Sequence, residues 1–152
     1  MDSTYLSAEK FEELKAELEQ RQREERRLIA ARIEQAKELG DLSENFEYHE
    51  AKEQQAQNEG RIGELQDMVR NAVIVEEKTG GSTIHIGTKF SAEINGEEKE
   101  FELVGSTEAD PLAGKISNET PVGMAFLGKA VGEDIEVDLP RGKVTYKVTK
   151  IL

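Results

Sequence analysis

The sequence has no cysteine and no tryptophan, and its 152 residues include only three prolines and two histidines. Without cysteine there can be no disulfide, iron–sulfur cluster, thiolate zinc site or cysteine nucleophile. Two histidines, at positions 49 and 85, are too few for a His-rich metal site. No apolar run exceeds four residues, which excludes a membrane-spanning helix. The opening Met1-Asp2-Ser3-Thr4 lacks the basic-then-apolar pattern of a signal peptide, so a cytoplasmic protein without membrane partners is expected. Lys and Arg total 20 against 32 Asp and Glu, a formal net charge of −12. That balance argues against broad binding to nucleic-acid backbones, which needs clustered cations. Five Phe and three Tyr leave any core mostly aliphatic.

What is present divides sharply in two. Residues 7 to about 75 contain no proline and only three glycines, and are dense in Glu, Lys, Arg, Gln, Ala and Leu, a helix composition. Residues 76–152 hold all three prolines, the other ten glycines, and alternating stretches of Val, Ile, Thr and Phe, a sheet composition. Two domains are expected, 1–76 and 77–152, in an α+β protein: a long antiparallel helical hairpin, then a small antiparallel sheet with one short helix. The predicted strands are 73–76, 88–94, 100–104, 114–117, 134–139 and 143–151, with a helix over 121–127. Asn95-Gly96 is a hairpin turn signal and Pro140-Arg141-Gly142 a second turn.

In the first half, Ser7 is an N-cap candidate, and Phe11, Leu14 and Leu18 begin an apolar stripe. A polar stretch interrupts it before Leu28, Ile29, Ile33 and Ala36 resume. Gly40 is read as a C-cap glycine, with Lys37 in the last turn. Tyr48, Ala51, Gln55, Asn58, Ile62, Leu65, Val69 and Ala72 then step by 3 and 4 alternately, a coiled-coil seam with two amides in it. The connection is short, so the helices run antiparallel, each of roughly 30 residues and about 45 Å long. Such a thin pair has little core of its own. Either its far end is used, or it is a dimerisation arm.

The turn, residues 40–46, is the candidate site. Asp41 and Glu44 have capping-box spacing, which accounts for them as helix caps. Continued backwards, however, the seam phase passes through Tyr48, Glu44 and Asp41, so both acids would share a helix face and repel. A divalent cation would relieve that repulsion. Mg²⁺ takes about six oxygen ligands, so two carboxylates make half a site, weak alone and completed by another molecule. Lys37 and Lys52 flank the tip and can contact a phosphate backbone, or can be ordinary solvated lysines. The run Arg21, Arg23, Arg26, Arg27 and Arg32 is broken by Glu24 and Glu25 and reads as a solvated face. Phe46 lies two residues past Glu44, about 200° round a helix. It should face outward, either as a tolerated surface residue or to pack on a partner.

The motif Gly40-Asp41-Leu42-Ser43-Glu44-Asn45-x-Glu47-Tyr48-His49, with Ala51-Lys52-Glu53-Gln54-Gln55 and Glu59-Gly60-Arg61-Ile62, resembles the hairpin tip of the GreA branch of the Gre family of bacterial transcript cleavage factors. Ile116-Ser117, Thr120-Pro121-Val122-Gly123, Leu127-Gly128-Lys129 and Gly132-Glu133 resemble the family's carboxyl domain, so the likeness covers essentially the whole chain. It implies an FKBP-like globular domain that docks on RNA polymerase, here through a segment that includes Thr120 and Pro121. The coiled coil would enter the secondary channel and reach the extruded 3′ end of backtracked RNA. It also implies that Asp41 and Glu44 help hold a Mg²⁺ and a water in the polymerase active site. The protein would then have no cofactor of its own and would not be an enzyme alone. Two positions depart from the family form, Ser43 where Lys is common and Phe46 where a small residue is common. The GreB branch is more basic along the coil, and the acidity here favours the GreA branch.

Two other functions compete. A channel-binding inhibitor of the same family would lack cleavage activity, but inhibitory paralogues carry extra acids at the tip, whereas positions 42 and 43 are Leu and Ser. A prolyl isomerase would exploit the fold likeness, yet fold does not carry function. Such an enzyme wants a concave aromatic pocket, for which the second half offers Phe90, Phe101, Phe126 and Tyr146.

Overall fold

The computed structural model describes residues 3–41, 43–76 and 80–152. Contacts divide the chain into two compact units, residues 11–71 and residues 1–10 together with 72–152. Leu42 of the tip motif and the first residues of the expected second domain lie outside the described residues.

The first unit is the hairpin. Its first arm consists of α1 (Ala8–Gln20), a π-helical turn (Arg21–Glu25) and α2 (Arg26–Lys37), and its second arm is α3 (Phe46–Arg70). The seam expected on α3 is the inward face: Ala51, Asn58, Ile62 and Leu65 are buried, with Tyr48, Gln55 and Val69 half-buried. Ile29, Ile33 and Ala51 form an apolar cluster with Tyr48 packed against it. Ala36 is buried as well, whereas Leu28, which the pattern assigned to the stripe, is exposed.

The polar break in the seam is a bonded network. Asn58, 3% exposed, donates through Nδ2 to the Arg21 carbonyl at 3.2 Å, and its Oδ1 accepts from Arg21 Nη1 at 3.1 Å. Glu17 accepts from Arg61 Nε (2.9 Å) and Nη2 (3.0 Å) and from Arg21 Nε (2.7 Å). In the π-helical turn the Arg21 carbonyl accepts from the Arg26 amide five residues on, and the Asn58 amide adds a second donor to it from the other arm. The arginine run is therefore not simply a solvated face. Arg26 makes a bidentate pair with Glu59, and Arg32 donates to Gln54 across the hairpin.

The second unit is built on a five-stranded sheet of β3 (Lys89–Ile94), β4 (Glu97–Val104), β5 (Lys115–Ser117), β6 (Asp134–Leu139) and β7 (Gly142–Ile151), in the order β5-β4-β3-β7-β6. The β3–β4, β3–β7 and β6–β7 pairs are antiparallel, as expected, but β4 and β5 run parallel, so the sheet is mixed. Two short 3₁₀ turns, Ser106–Glu108 and Pro111–Ala113, fill the connection between those strands and let the chain return in the same direction. A separate parallel pair joins β1 (Thr4–Leu6) to β2 (Ala72–Ile74). This strand at the amino end was not expected, because three residues carry no periodicity. Asn95 and Gly96 both have positive φ, 54° and 81°, the geometry of the predicted hairpin turn.

In β7 the side chains of Tyr146 and Val148 are buried while Thr145 and Lys147 are exposed, the period of two expected of a strand with one face on a core. The core gathers Ile84, Phe90, Ala92, Leu103, Phe126, Ile135, Val137, Tyr146 and Val148. Helix α4 (Pro121–Phe126) delivers Phe126 into it, 4.8 Å from the Phe90 ring and 5.2 Å from that of Tyr146. Gly123 lets this helix approach, since a Cβ there would overlap the Ser117 carbonyl.

Candidate functional site

The tip is made where the two arms meet. Helix α2 ends at Lys37, with Glu38 as its C-cap and the Leu39 amide closing a tight turn on the Ala36 carbonyl at 3.1 Å. Gly40 is therefore not the cap. It lies two residues beyond it with φ of 124°, where the chain reverses and a side chain would be strained.

Helix α3 begins at Phe46, and its N-cap is Asn45, whose side chain accepts from the Tyr48 amide at 3.0 Å. Both sequence-derived placements of the acids are thereby corrected. Asp41 and Glu44 do not form a capping box, because Asn45 has the cap. Nor do they share a face of α3, because both precede its first residue. They sit in the loop between the arms, and the seam phase cannot be continued backwards through a segment that is not helical.

Asp41 is exposed, and its Oδ1 accepts from both the backbone N–H (3.0 Å) and the hydroxyl (2.9 Å) of Ser43. The Ser43 N–H, then its hydroxyl, hold the Asp41 carboxyl below the usual carboxylate range. Ser43, the departure from the usual Lys, adds a hydroxyl to the backbone N–H that any residue there would supply, and together they orient the Asp41 carboxylate. Glu44 is exposed and makes no hydrogen bond or ion pair with any described residue.

The other predicted residues are placed as follows. Phe46 is 89% exposed as the first residue of α3. The outward direction is as expected, but it follows from the helix start rather than from a rotation relative to Glu44. Lys37 pairs loosely with Glu34 at 3.6 Å, and Lys52 donates to Gln55 at 2.8 Å. Both lysines are exposed. In the second unit the Thr120 hydroxyl is committed internally, donating to the Ser117 carbonyl (2.8 Å) and accepting from the Gly123 amide (3.1 Å) as the cap of α4. Pro121 is exposed beside it, and Met124 and Leu127 follow on the same exposed side.

Asn45 escaped the sequence reading. The signal was an Asn immediately before a helical run, which is a strong N-cap choice. It was hidden by the apparent Asp41–Glu44 box. The four aromatics weighed for an isomerase pocket instead pack on one another, Phe101 and Phe126 at 6.0 Å and Phe101 and Tyr146 at 6.3 Å, with Phe90 and Phe126 fully buried. Phe90, Phe126 and Tyr146 are core, and the half-buried Phe101 packs against them.

The donors at the tip suit a hard divalent cation, being exposed carboxylate oxygens. They are too few to enclose one. Among the described residues no group of three or more His, Cys, Asp or Glu is placed to hold a metal ion.

Residues 4–74 match the family model for the N-terminal part of a transcription elongation factor, and residues 78–152 match the model for the C-terminal part of transcription elongation factor GreA/GreB. Transcription elongation factor GreA of Bacillus velezensis is 43% identical over 148 residues, covering 96% of this chain and 94% of that protein. The factor of the same name from Clostridioides difficile is 47% identical over 149 residues, covering 96% and 94%. Among solved structures, GreA factor homolog 1 of Thermus thermophilus is 31% identical over 99% of both chains, with a TM-score of 0.46.

Proposed function

The chain belongs to the GreA/GreB family of transcription elongation factors, and from that membership we propose that it acts in the cytoplasm on bacterial RNA polymerase, stimulating cleavage of backtracked RNA from the secondary channel. The observation that carries this reading is the tip: two exposed carboxylates in the loop between two helical arms, one of them oriented by Ser43. A Mg²⁺ shared between these acids and the polymerase would contribute charge neutralisation and a polarised water for phosphodiester hydrolysis. The protein's part is to deliver and orient the acids. Asp41 presents a carboxylate whose Oδ1 is occupied by Ser43, leaving Oδ2 for a new ligand. Among the described residues Glu44 has no competing partner.

In this reading the factor is not a complete enzyme. It donates two ligands and the polymerase performs the reaction on the RNA 3′ end. Lys37 and Lys52, both exposed, would meet the phosphate backbone of the extruded RNA, and the exposed Phe46 would stack on a base or pack on the channel wall. Docking belongs to the second unit, through Pro121 and the exposed side of α4, with Thr120 shaping the turn.

The test is a polymerase complex from the same organism, halted and backtracked, with and without the protein. Stimulated release of short 3′ RNA fragments is the expected outcome. Binding to polymerase without such release would overturn the cleavage reading in favour of a channel-binding inhibitor.

A further inference from the structure

Asn45 does more than cap a helix. While its Oδ1 accepts from the Tyr48 amide, its Nδ2 donates to the carbonyl of Ala36 at 2.5 Å. The two partners fix the orientation of the amide, because a backbone N–H demands the oxygen and a backbone carbonyl demands the nitrogen. Ala36 is in the last turn of α2 and is buried, whereas Tyr48 is in the first turn of α3. One side chain therefore ties the end of one arm to the start of the next. The loop that it closes carries Asp41 and Glu44. Among the described residues, the other hydrogen bonds of that loop are local, Leu39 to Ala36 and Ser43 to Asp41. Among the described residues no other side-chain hydrogen bond joins the arms at this neck, and apolar packing takes over where Tyr48 meets Ile29, Ile33 and Ala51.

We propose that Asn45 is a positioning residue for stimulated cleavage: its amide clamps the neck of the tip loop, so that Asp41 and Glu44 are presented together to the shared metal and water. This rests on the cleavage reading above. The physical reason is entropic. Two ligands on a loose loop must be ordered as they engage, whereas a closed neck orders them beforehand, and loss of such positioning costs about ten- to hundred-fold in rate.

Two substitutions in the full-length protein separate clamping from capping. Asn45→Asp keeps an acceptor for the Tyr48 amide, and Asp is as good an N-cap as Asn. It has no N–H to give Ala36. Asn45→Ala loses both bonds. The inference expects Asn45→Asp to melt slightly earlier, by the one hydrogen bond lost, and to reach half-maximal effect at the same concentration. Its maximal cleavage rate should fall about ten-fold or more, with a higher Mg²⁺ concentration needed for half-maximal rate. Asn45→Ala should be at least as impaired and should also melt earlier. An unchanged maximal rate for Asn45→Asp, or a loss that tracks only its melting temperature, would overturn the clamp.

Backbone ¹⁵N relaxation of residues 41, 43 and 44 in the free protein supplies the independent readout. Increased mobility in Asn45→Asp supports the clamp, and unaltered relaxation overturns it. If the unsubstituted protein fails to stimulate cleavage, the function proposed above is what fails, and the relaxation comparison still decides whether Asn45 orders the tip.

Discussion

The two units are held by different means. The sheet unit gathers nine buried side chains into one apolar core, three of them aromatic. In the hairpin Ile29, Ile33 and Ala51 form an apolar cluster and Leu14, Ala36, Ile62 and Leu65 are buried as well, but its middle is carried by Glu17, Arg21, Asn58 and Arg61. A two-helix hairpin has one interface and no third layer, so the polar atoms of its seam are never far from water. Hydrogen-bonded charges there avoid the full desolvation cost that they would meet in a sheet core. The sheet unit spends its sequence on burial, and the hairpin spends its own on register and on what stands at its end.

The sharpest way to test this division is to disarm the tip alone. Replacing Asp41 by Asn and Glu44 by Gln together should abolish stimulated cleavage while binding to polymerase survives, measured by RNA release and by co-sedimentation. Among the described residues neither acid bonds across the hairpin, so neither arm should notice. Near-normal cleavage by the double variant would return both residues to the role of turn formers.

The next largest effect belongs to the sheet core. Phe126→Ala removes a fully buried ring that touches Phe90 and Tyr146, and should cost about 3–5 kcal/mol. Hydrogen exchange resolved by residue should show β3 and β7 opening early while the amides of α3 keep their protection. Equal loss in both would break the comparison, since the hairpin would then depend on the core that it does not share.

Smaller again is Phe46→Ala. An 89%-exposed ring contributes little to folding, so the melting temperature should hold. Cleavage at limiting factor concentration should fall about ten-fold if the ring stacks or packs in the complex, equivalent to about 1.4 kcal/mol. If the ring aids binding alone, the deficit closes at saturation. An unchanged rate at limiting concentration makes Phe46 a tolerated surface residue.

Much of this was legible in the sequence, for physical reasons that also mark where legibility stopped. The α3 seam and the strands over 134–139 and 143–151 are periodic, and burial follows period. The tip acids were identifiable as a pair of residues, but their geometry was not. Periodicity extrapolates through a helix start without announcing it, and it carried Asp41 and Glu44 onto a face that does not exist. The start is set by Asn45, whose reach back to Ala36 spans nine positions and leaves no local pattern. The π-helical turn was equally silent. Its partner, Asn58, stood out only as an amide in an apolar seam, and the arginines that complete the network resembled any charged face until the second arm was set beside them.

The smallest predicted effect concerns that network and is read through pH. Arg61 bonds, aided by those of Arg21, lower the Glu17 carboxyl from its ordinary 4.5 to about 2. A carboxylate with a folded pKa below its unfolded one adds stability above the unfolded value, and loses it as pH falls through the folded value. The contribution of Glu17 should thus be complete above about pH 5 and disappear between about 4.5 and 2. The side chain is 31% exposed, so solvent screens the pair and the effect should be about 1 kcal/mol rather than the full value of the shift. Urea unfolding followed at 222 nm, a signal dominated by the hairpin helices, should therefore show a steeper loss from pH 5 to pH 2.5 in the unsubstituted protein than in Glu17→Gln. Glu59, lowered by its bond to Arg26, supplies a residual slope in both. Parallel curves would mean that Arg21 and Arg61 hold the seam by packing their stems rather than by charge, and the contrast between a polar hairpin and an apolar sheet would narrow to one of size.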